Sequence, residues 1–484
     1  MYYLGLDVGT TGTKALLVDS AGTVLGKGYA GYELISNGCC VEQRPDDWIK
    51  SSVTAIRQAI VEYDPKSVSA ISLSTQGASM VAIDSKNQPL GNAWTWMDTR
   101  SKNEANELKL LLGEEYIYRN TGWPISPSLD ACKILRMKRS GEYKEAKSFI
   151  TTHEYMALFL SGNAVCDPTN LSIRQLFNVP RNDYDDKILD AIGASRDELP
   201  LFMPAGTLIG ELTAIAADAT GLSAGIPIYN GAHDQYCASL GAAAINSGDI
   251  LLSTGTTWVV MGISESPIFS ESRIAPASHP ISGMYGQIVS LVGSGSSLHW
   301  YKDKFLETDF NEINCRVSEK ERITKLKNLC FYPYFSGVTY PYLNLNARGT
   351  FSGISLEHDK FDFARAIMES AAFRVRQALD DFSSNGFELK TLKVMGGAAK
   401  SAFWCNLIAA AIGRAIKVSE ETEACAIGAA IIAATGAGEY NSLREAAHAM
   451  ASDTIELSPD PELTEYMQEK YLEYVTVQNA IMQR

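Results

Sequence analysis

The sequence predicts an α/β protein built from two like domains that meet at a cleft. Three observations carry that expectation. The chain has 484 residues, more than one ordinary core holds, since domains mostly run about 100–200 residues. Strand-like and helix-like periodicities alternate along its second half. The run Leu6-Asp7-Val8-Gly9-Thr10-Thr11, followed by an apolar strand, returns 246 residues later as Leu252-Ser253-Thr254-Gly255-Thr256-Thr257 before Trp258–Met261. Self-similarity at half the chain length is the mark of a duplication. A shared GTT triplet alone is common, but the matching hairpin pattern and the halfway offset favour a true repeat. The boundary is placed after Ile245, giving units 1–245 and 246–484.

The elements follow in order. Tyr3–Asp7 is a short apolar strand, Gly9-Thr10-Thr11-Gly12 is turn chemistry, and Ala15–Val18 is apolar again. The turn Ser20-Ala21-Gly22 leads to a third strand near Thr23–Tyr32. Helical spacing over Asp46–Tyr63 places Trp48, Val53, Ile56 and Ile60 on one face. Val68–Ser74 and Met80–Ile83 are strands. In the second half the pattern predicts a helix over Phe361–Phe382, a strand over Leu392–Met395 and a glycine turn at Gly396-Gly397. A helix over Ser401–Ile412, a strand over Ala415–Val418 and an alanine-rich helix over Ala424–Thr435 come next. The tail Leu463–Met482 reads as a polar surface helix.

Composition excludes several classes. The 42 basic and 56 acidic residues give a formal charge of −14, and no basic run compensates, so nucleic acid and anionic membrane are poor partners. No apolar stretch reaches bilayer-spanning length. Nine cysteines, an odd number with no CxxC spacing, argue for reduced thiols rather than a disulfide framework or a zinc site. With no basic and apolar leader before Tyr3, a cytoplasmic protein is expected.

The chemistry concentrates in a few places. In Asp7-Val8-Gly9-Thr10-Thr11-Gly12-Thr13-Lys14 the glycines let backbone N–H groups close on an anion, and the threonine hydroxyls and Lys14 add donors and charge. Asp7 suits Mg²⁺, a hard cation that takes carboxylate oxygens. Alone the motif is only suggestive, since a hairpin turn with no ligand has the same residues. Paired with Gly255-Thr256-Thr257 in the other half, it reads as a two-sided phosphate clamp. Gly396-Gly397-Ala398-Ala399-Lys400-Ser401 lies between a strand and a helix start, which favours anions but is also an ordinary helix entry. Asp234, with Gln235 beside it, ends an apolar strand and can serve as a general base, as an N-cap, or as both. His233 is expected to be packed. Trp94-Thr95-Trp96-Met97-Asp98-Thr99-Arg100 combines indoles, which stack on sugar C–H faces, with a carboxylate, which binds sugar hydroxyls. Core tryptophans beside a surface Asp–Arg pair explain the same residues. Gln76-Gly77-Ala78-Ser79 offers one amide and little bulk. No dinucleotide-binding fingerprint is present, which makes a nucleotide-cofactor oxidoreductase remote.

These motifs, in this order, resemble the FGGY carbohydrate kinases, with a xylulokinase-like overall pattern that covers nearly the whole chain. The matching stretches are Asp7–Lys14, Val41-Glu42-Gln43-Arg44-Pro45-Asp46-Asp47-Trp48, Trp96–Arg100, Asp234-Gln235, Ser253–Thr257, Gly349-Thr350-Phe351-Ser352-Gly353-Ile354 and Gly396–Ser401. Two departures stand out. Arg136 replaces the family's usual tryptophan after the lysine at 133, and Gly77-Ala78 replaces the Met-His of xylulokinase-like members.

The resemblance implies two actin-like, ribonuclease-H-like domains and transfer of the ATP γ-phosphoryl group to a hydroxyl of a small sugar. A ketopentose such as xylulose is the first choice, with ribulose, a deoxyketose or a polyol as alternatives. It gives Asp234 the role of catalytic base and Asp7 that of Mg²⁺ ligand. Thr10, Thr11, Lys14, Gly255 and Thr256 would hold the phosphates, and Gly295, Gly396, Gly397 and Ser401 would border the nucleotide. Gln76, Gly77, Ala78, Trp96, Asp98, Asp234 and Gln235 would line the sugar, with a roomier pocket at Gly77-Ala78. A homodimer is left open. The rival reading is a non-kinase ATPase of the actin or Hsp70 kind, which has no use for Trp96–Arg100 or Asp234-Gln235.

Overall fold

The computed structural model describes residues 1–482 apart from 320, 321, 336, 342, 343, 345 and 420. Two large sheets organise it. The first, six-stranded, runs Leu208–Glu211, Pro227–His233, Val68–Thr75, Tyr2–Val8, Gly12–Asp19, Val24–Gly31. The second, seven-stranded, runs Ala275–Ser278, Tyr285–Leu291, Trp258–Ser264, Asp249–Thr254, Thr391–Gly396, Ile416–Val418, Ile455–Leu457.

The core of each sheet has the same wiring. Tyr2–Val8 pairs antiparallel with Gly12–Asp19 and parallel with Val68–Thr75, which pairs parallel with Pro227–His233. Asp249–Thr254 pairs antiparallel with Trp258–Ser264 and parallel with Thr391–Gly396, which pairs parallel with Ile416–Val418. The repeat visible in the two GTT turns is therefore a repeat of topology. Both central strands are buried on their two faces, as Tyr3, Leu4, Leu6 and Val8 or Ile250, Leu251 and Leu252 show. That is why each reads as a continuous apolar run rather than an alternation.

The halves are tied together by the alanine-rich helix Ala424–Gly436. It packs on Tyr2–Val8, on Val68–Thr75 and on the helix Asp234–Gly241 of the other half. Backbones touch there. A Cβ on Gly5 would lie 1.9 Å from the Ala426 carbonyl oxygen, and one on Gly428 1.9 Å from that of Cys237. Only glycine fits such an approach.

Two expectations are corrected. The helix Pro45–Ala59 buries Trp48, Ser51, Ser52, Ala55, Ile56 and Ala59, while Val53 is only half-buried. Small residues face the sheet because the strand beneath comes very close: a Cβ on Gly26 or Gly28 would sit 1.9 Å from the Ala59 or Ala55 carbonyl oxygen. The tail helix Pro461–Met482 is not a surface helix. It buries Leu463, Tyr466, Met467, Lys470, Tyr471, Tyr474 and Gln478 against the second half. Apart from Leu463 and Met467, its inward stripe is made of residues with polar tips, which find partners inside. The Tyr466 hydroxyl, for instance, donates to Glu369 Oε1 at 3.1 Å, and Gln478 Nε2 donates to the Tyr334 hydroxyl at 2.6 Å.

One buried imidazole predicts a pH effect. His279 is enclosed, with Nε2 2.9 Å from Ser239 Oγ and Nδ1 accepting from the Ile281 N–H at 3.1 Å. Burial, reinforced by the Arg444 charge, pushes its pKa down to about 3. Unfolding frees a histidine that protonates near 6.5, so the unfolded state binds the extra proton and stability falls as pH drops below 6.5. The loss from this residue is expected to reach about 2–3 kcal/mol by pH 4.5. Urea titrations of the wild type and His279→Gln at pH 7.5 and 4.5 test it, the variant losing less over that interval.

Candidate active site

The register of the first sheet assembles the site. Val8 is level with Thr75, and Thr75 with His233. Asp7, Gln76 and Asp234 therefore stand at the carboxyl ends of three adjacent parallel strands, where ligands bind in open α/β sheets.

Asp7 accepts from Ser74 Oγ at 2.7 Å. Burial, together with the negative charge of nearby Asp234, pushes its pKa up to about 7. Asp234 opens the helix Asp234–Gly241, but the N-cap is His233, whose Nδ1 accepts from the Gln235 N–H at 3.3 Å. Asp234 is thus not the cap, and its Oδ1 is buried with no hydrogen-bond partner among the described residues. Gln76 Oε1 and Gln235 Oε1 share that state. Three buried acceptors without donors call for a partner.

The turn after the first strand is braced from the side. Gln43 Nε2 donates to the Thr10 carbonyl at 2.6 Å, while Gln43 Oε1 accepts from Trp48 Nε1 at 3.1 Å and from Gln76 Nε2 at 2.7 Å. Trp96, with 41% of its surface exposed, donates from Nε1 to Thr10 Oγ1 at 3.1 Å. Thr11 is exposed at the tip. Asp98 does not face the cleft. It is wholly buried, both oxygens are held by Arg100, and Oδ2 also accepts from the Val41 N–H at 2.9 Å. Arg100 in turn lies 4.1 Å over the Trp94 ring. Asp98 positions the Trp96 loop, because a carboxylate so enclosed has no edge left for a ligand.

Lys14 reaches across to the other half, where its Nζ lies 2.8 Å from Glu423 Oε2. Burial works against its charge, but Glu423 outweighs it and raises the Lys14 pKa. In the second half the Gly255-Thr256 turn is exposed and backed by the helix Ser294–Phe305. A Cβ on Gly295 would meet the Gly255 carbonyl oxygen at 2.1 Å, and the Ser296 N–H donates to the Thr256 carbonyl at 3.0 Å. Gly396, at φ 92°, turns beside Thr254, whose Oγ1 accepts from the Ala398 N–H at 2.9 Å. Gly255, Thr256, Gly295, Gly396 and Gly397 are thus brought together at the ends of two parallel strands. Ser401 caps the helix Ala402–Ile412 and donates to Asn314 Oδ1 at 2.7 Å.

The expected roomy pocket at Gly77-Ala78 is corrected. A Cβ on Gly77 would lie 2.5 Å from Cδ2 and 2.6 Å from Nε2 of His233, so the imidazole fills the space. Ala78 is buried at φ 50°, and its carbonyl is gripped by the wholly buried Lys133 at 2.6 Å. Lys133 Nζ also donates to the Trp94 carbonyl at 3.1 Å, so one ammonium ties both loops. Arg136 sits apart from these groups, 3.6 Å from Glu104.

Sequence reasoning passed over Glu423, Lys133 and the reach of His233. Lys133 lies in a recognised motif and could have been singled out. Glu423 acts across a fold junction and leaves no local signal.

Two sheets of one topology, each ending in a glycine turn at the carboxyl ends of its parallel strands, define a two-lobed phosphate-handling protein of the actin-like ATPase fold. Comparison with known proteins narrows this. Residues 2–241 match the FGGY family of carbohydrate kinases, N-terminal domain, and residues 250–437 match its C-terminal domain. The chain belongs to the FGGY family and is a carbohydrate kinase, a phosphotransferase. Among its relatives is a xylulose kinase of Staphylococcus epidermidis, 28% identical, the match covering 99% of this chain and 96% of the relative. A gluconokinase of Bacillus subtilis is 27% identical over 95% of this chain and 92% of its own length. The crystal structure of ligand-bound xylulose kinase from Lactobacillus acidophilus superposes with a TM-score of 0.91 at 25% identity, covering 99% and 98% of the two chains.

Proposed function

We propose that the enzyme transfers the γ-phosphoryl group of ATP to a hydroxyl of a neutral ketopentose, xylulose first among them. The observation that carries this is the trio of unpartnered buried acceptors, Gln76 Oε1, Asp234 Oδ1 and Gln235 Oε1. Acceptors without donors suit a ligand rich in hydroxyls. A sugar acid fits less well, since the cations on this side are already engaged: Arg100 by Asp98 and Glu42, Lys133 by two carbonyls, Arg174 by Asp130 and Glu154.

Asp234 Oδ1 takes the proton of the attacking hydroxyl, as a carboxylate within hydrogen-bond reach can. Trp96 and the Gln76 amide orient the sugar beside it. The rest is positioning and charge stabilisation, as phosphoryl transfer requires. Thr10, Thr11 and Lys14 face the phosphates from the first lobe and Gly255 and Thr256 from the second. Gly295, Gly396, Gly397 and Ser401 border the nucleotide. We divide the chain after Ile245, with sugar and base in residues 1–245 and the nucleotide in 246–484. Mg²⁺ fits Asp7: a carboxyl held near pKa 7 beside a second carboxylate gains from a cation, and Mg²⁺ commonly takes one or two carboxylates plus phosphate. When bound, it offsets phosphate charge. All nine cysteines are free thiols, which supports a reducing, cytoplasmic setting. Among the described residues no helix is long and apolar enough to cross a membrane.

A coupled ADP-release assay with xylulose, ribulose, gluconate, glycerol and no sugar tests the reading. Xylulose is expected to raise turnover at least about tenfold above the blank and to exceed gluconate in kcat/KM. Gluconate as the better substrate would overturn the neutral-sugar assignment.

A further inference from the structure

His233 carries a feature that the kinase chemistry so far does not use. Its ring is fixed on several sides. The backbone N–H donates to Thr169 Oγ1 at 2.8 Å, Nδ1 accepts from the Gln235 N–H, and the ring packs edge-on to Tyr236 with centroids 6.0 Å apart. An Nδ1 that accepts carries no proton, so in the neutral ring the proton is on Nε2. Among the described residues nothing accepts from Nε2. The Cδ2–Nε2 edge lies against Gly77, 2.5 and 2.6 Å from where a Cβ there would stand. On the other edge, Nδ1 is 3.3 Å from Asp234 Oδ1. A donor without an acceptor among the described residues therefore stands on the residue next to Asp234, at the strand ends that also carry the unpaired Gln76 and Gln235 oxygens.

We propose that His233 Nε2–H binds the sugar oxygen on the carbon next to the one phosphorylated, and so helps to select the substrate. The inference rests on the kinase reading with Asp234 as base. Its logic is complementarity. The three acceptors take sugar hydroxyl protons, and the lone donor takes a sugar lone pair, so the ligand is read in both senses. The Gly77–His233 exchange makes this possible, because any side chain at 77 would displace the imidazole. A site built to hydrogen-bond an oxygen strongly rejects the analogue lacking it.

The test uses His233→Asn. Asparagine is a preferred N-cap and preserves the helix start, but it cannot place a donor where Nε2 stands. The sugar KM is expected to rise about 10- to 100-fold with the ATP KM unchanged, while Tm falls modestly for the packing lost against Gly77 and Tyr236. On the sugar lacking the oxygen adjacent to the phosphorylated hydroxyl, the variant and the wild type should become alike, since the wild type has lost the same contact. An unchanged sugar KM in the variant, or an undiminished gap on the deoxy sugar, overturns the role of His233 and leaves the kinase reading standing. A wild type that phosphorylates no sugar overturns both.

Discussion

Asp234→Asn is expected to cut sugar phosphorylation by about 10²–10⁴-fold, the usual contribution of a general base, while ATP still binds. The change is isosteric and leaves the His233 cap untouched, because Asp234 does not make it. It also removes a negative charge that helps hold the Asp7 pKa up to about 7. Two carboxylates in one partly buried site repel, so the variant is expected to be at least as stable as the wild type above pH 7. The sign follows from linkage. With its native pKa raised, Asp7 destabilises the fold progressively as pH climbs from about 4 to about 7. Relief of that strain accompanies loss of activity, a pattern that unfolding cannot imitate. Equilibrium dialysis with ATP, the coupled assay and a thermal melt read the three quantities separately. Turnover within a few-fold of wild type would remove Asp234 from the chemistry.

Glu369→Gln makes the same chemical change with the opposite expected result. Glu369 is buried at the centre of an ion cluster, accepting from Lys470 Nζ at 2.6 Å, Arg365 Nε at 2.9 Å and the Tyr466 hydroxyl at 3.1 Å. Burial disfavours its charge, but Lys470 and Arg365 outweigh burial and hold its pKa below the usual carboxylate range. The amide leaves two cations buried without their counter-charge, which typically costs about 3–5 kcal/mol. Urea unfolding should show that loss, with kcat unchanged under conditions where the protein stays folded. Because the native pKa is depressed, the wild-type contribution is present above the unfolded carboxyl pKa and fades as pH falls through the native one. A Glu369→Gln protein with wild-type stability would mean that the cluster does not anchor the tail helix.

Part of the site and fold is legible in the sequence. Asp7, Gln76 and Asp234 were legible because each follows an apolar run, and strand ends are where α/β sheets present ligand groups. The duplication was legible because its turn recurs at a fixed offset. From Lys360 onward, element limits fell within about two residues, since glycines and caps punctuate that stretch. Between residues 84 and 226 the strands are as short as Ala93–Trp94, Val165–Cys166 and Phe177–Asn178. No periodicity can be seen over two residues. The tail helix was misread because its inward stripe is mostly tyrosine, lysine and glutamine, with only Leu463 and Met467 fully apolar, and such residues look solvated until their partners are known. The Lys14–Glu423 and Gly77–His233 contacts join residues far apart in the chain, and only the fold brings them together. Asp98 was read as facing a ligand because its motif places it beside indoles. The structure instead encloses it with Arg100.

The most direct test of the account is a crystal structure with Mg²⁺, a non-hydrolysable ATP analogue and xylulose bound together. The account predicts one xylulose hydroxyl within hydrogen-bond distance of Asp234 and in line with the γ-phosphoryl group, with the phosphates between the Gly9–Gly12 and Gly255–Thr257 turns. A sugar bound away from Asp234, or a nucleotide whose phosphates avoid either turn, would contradict it.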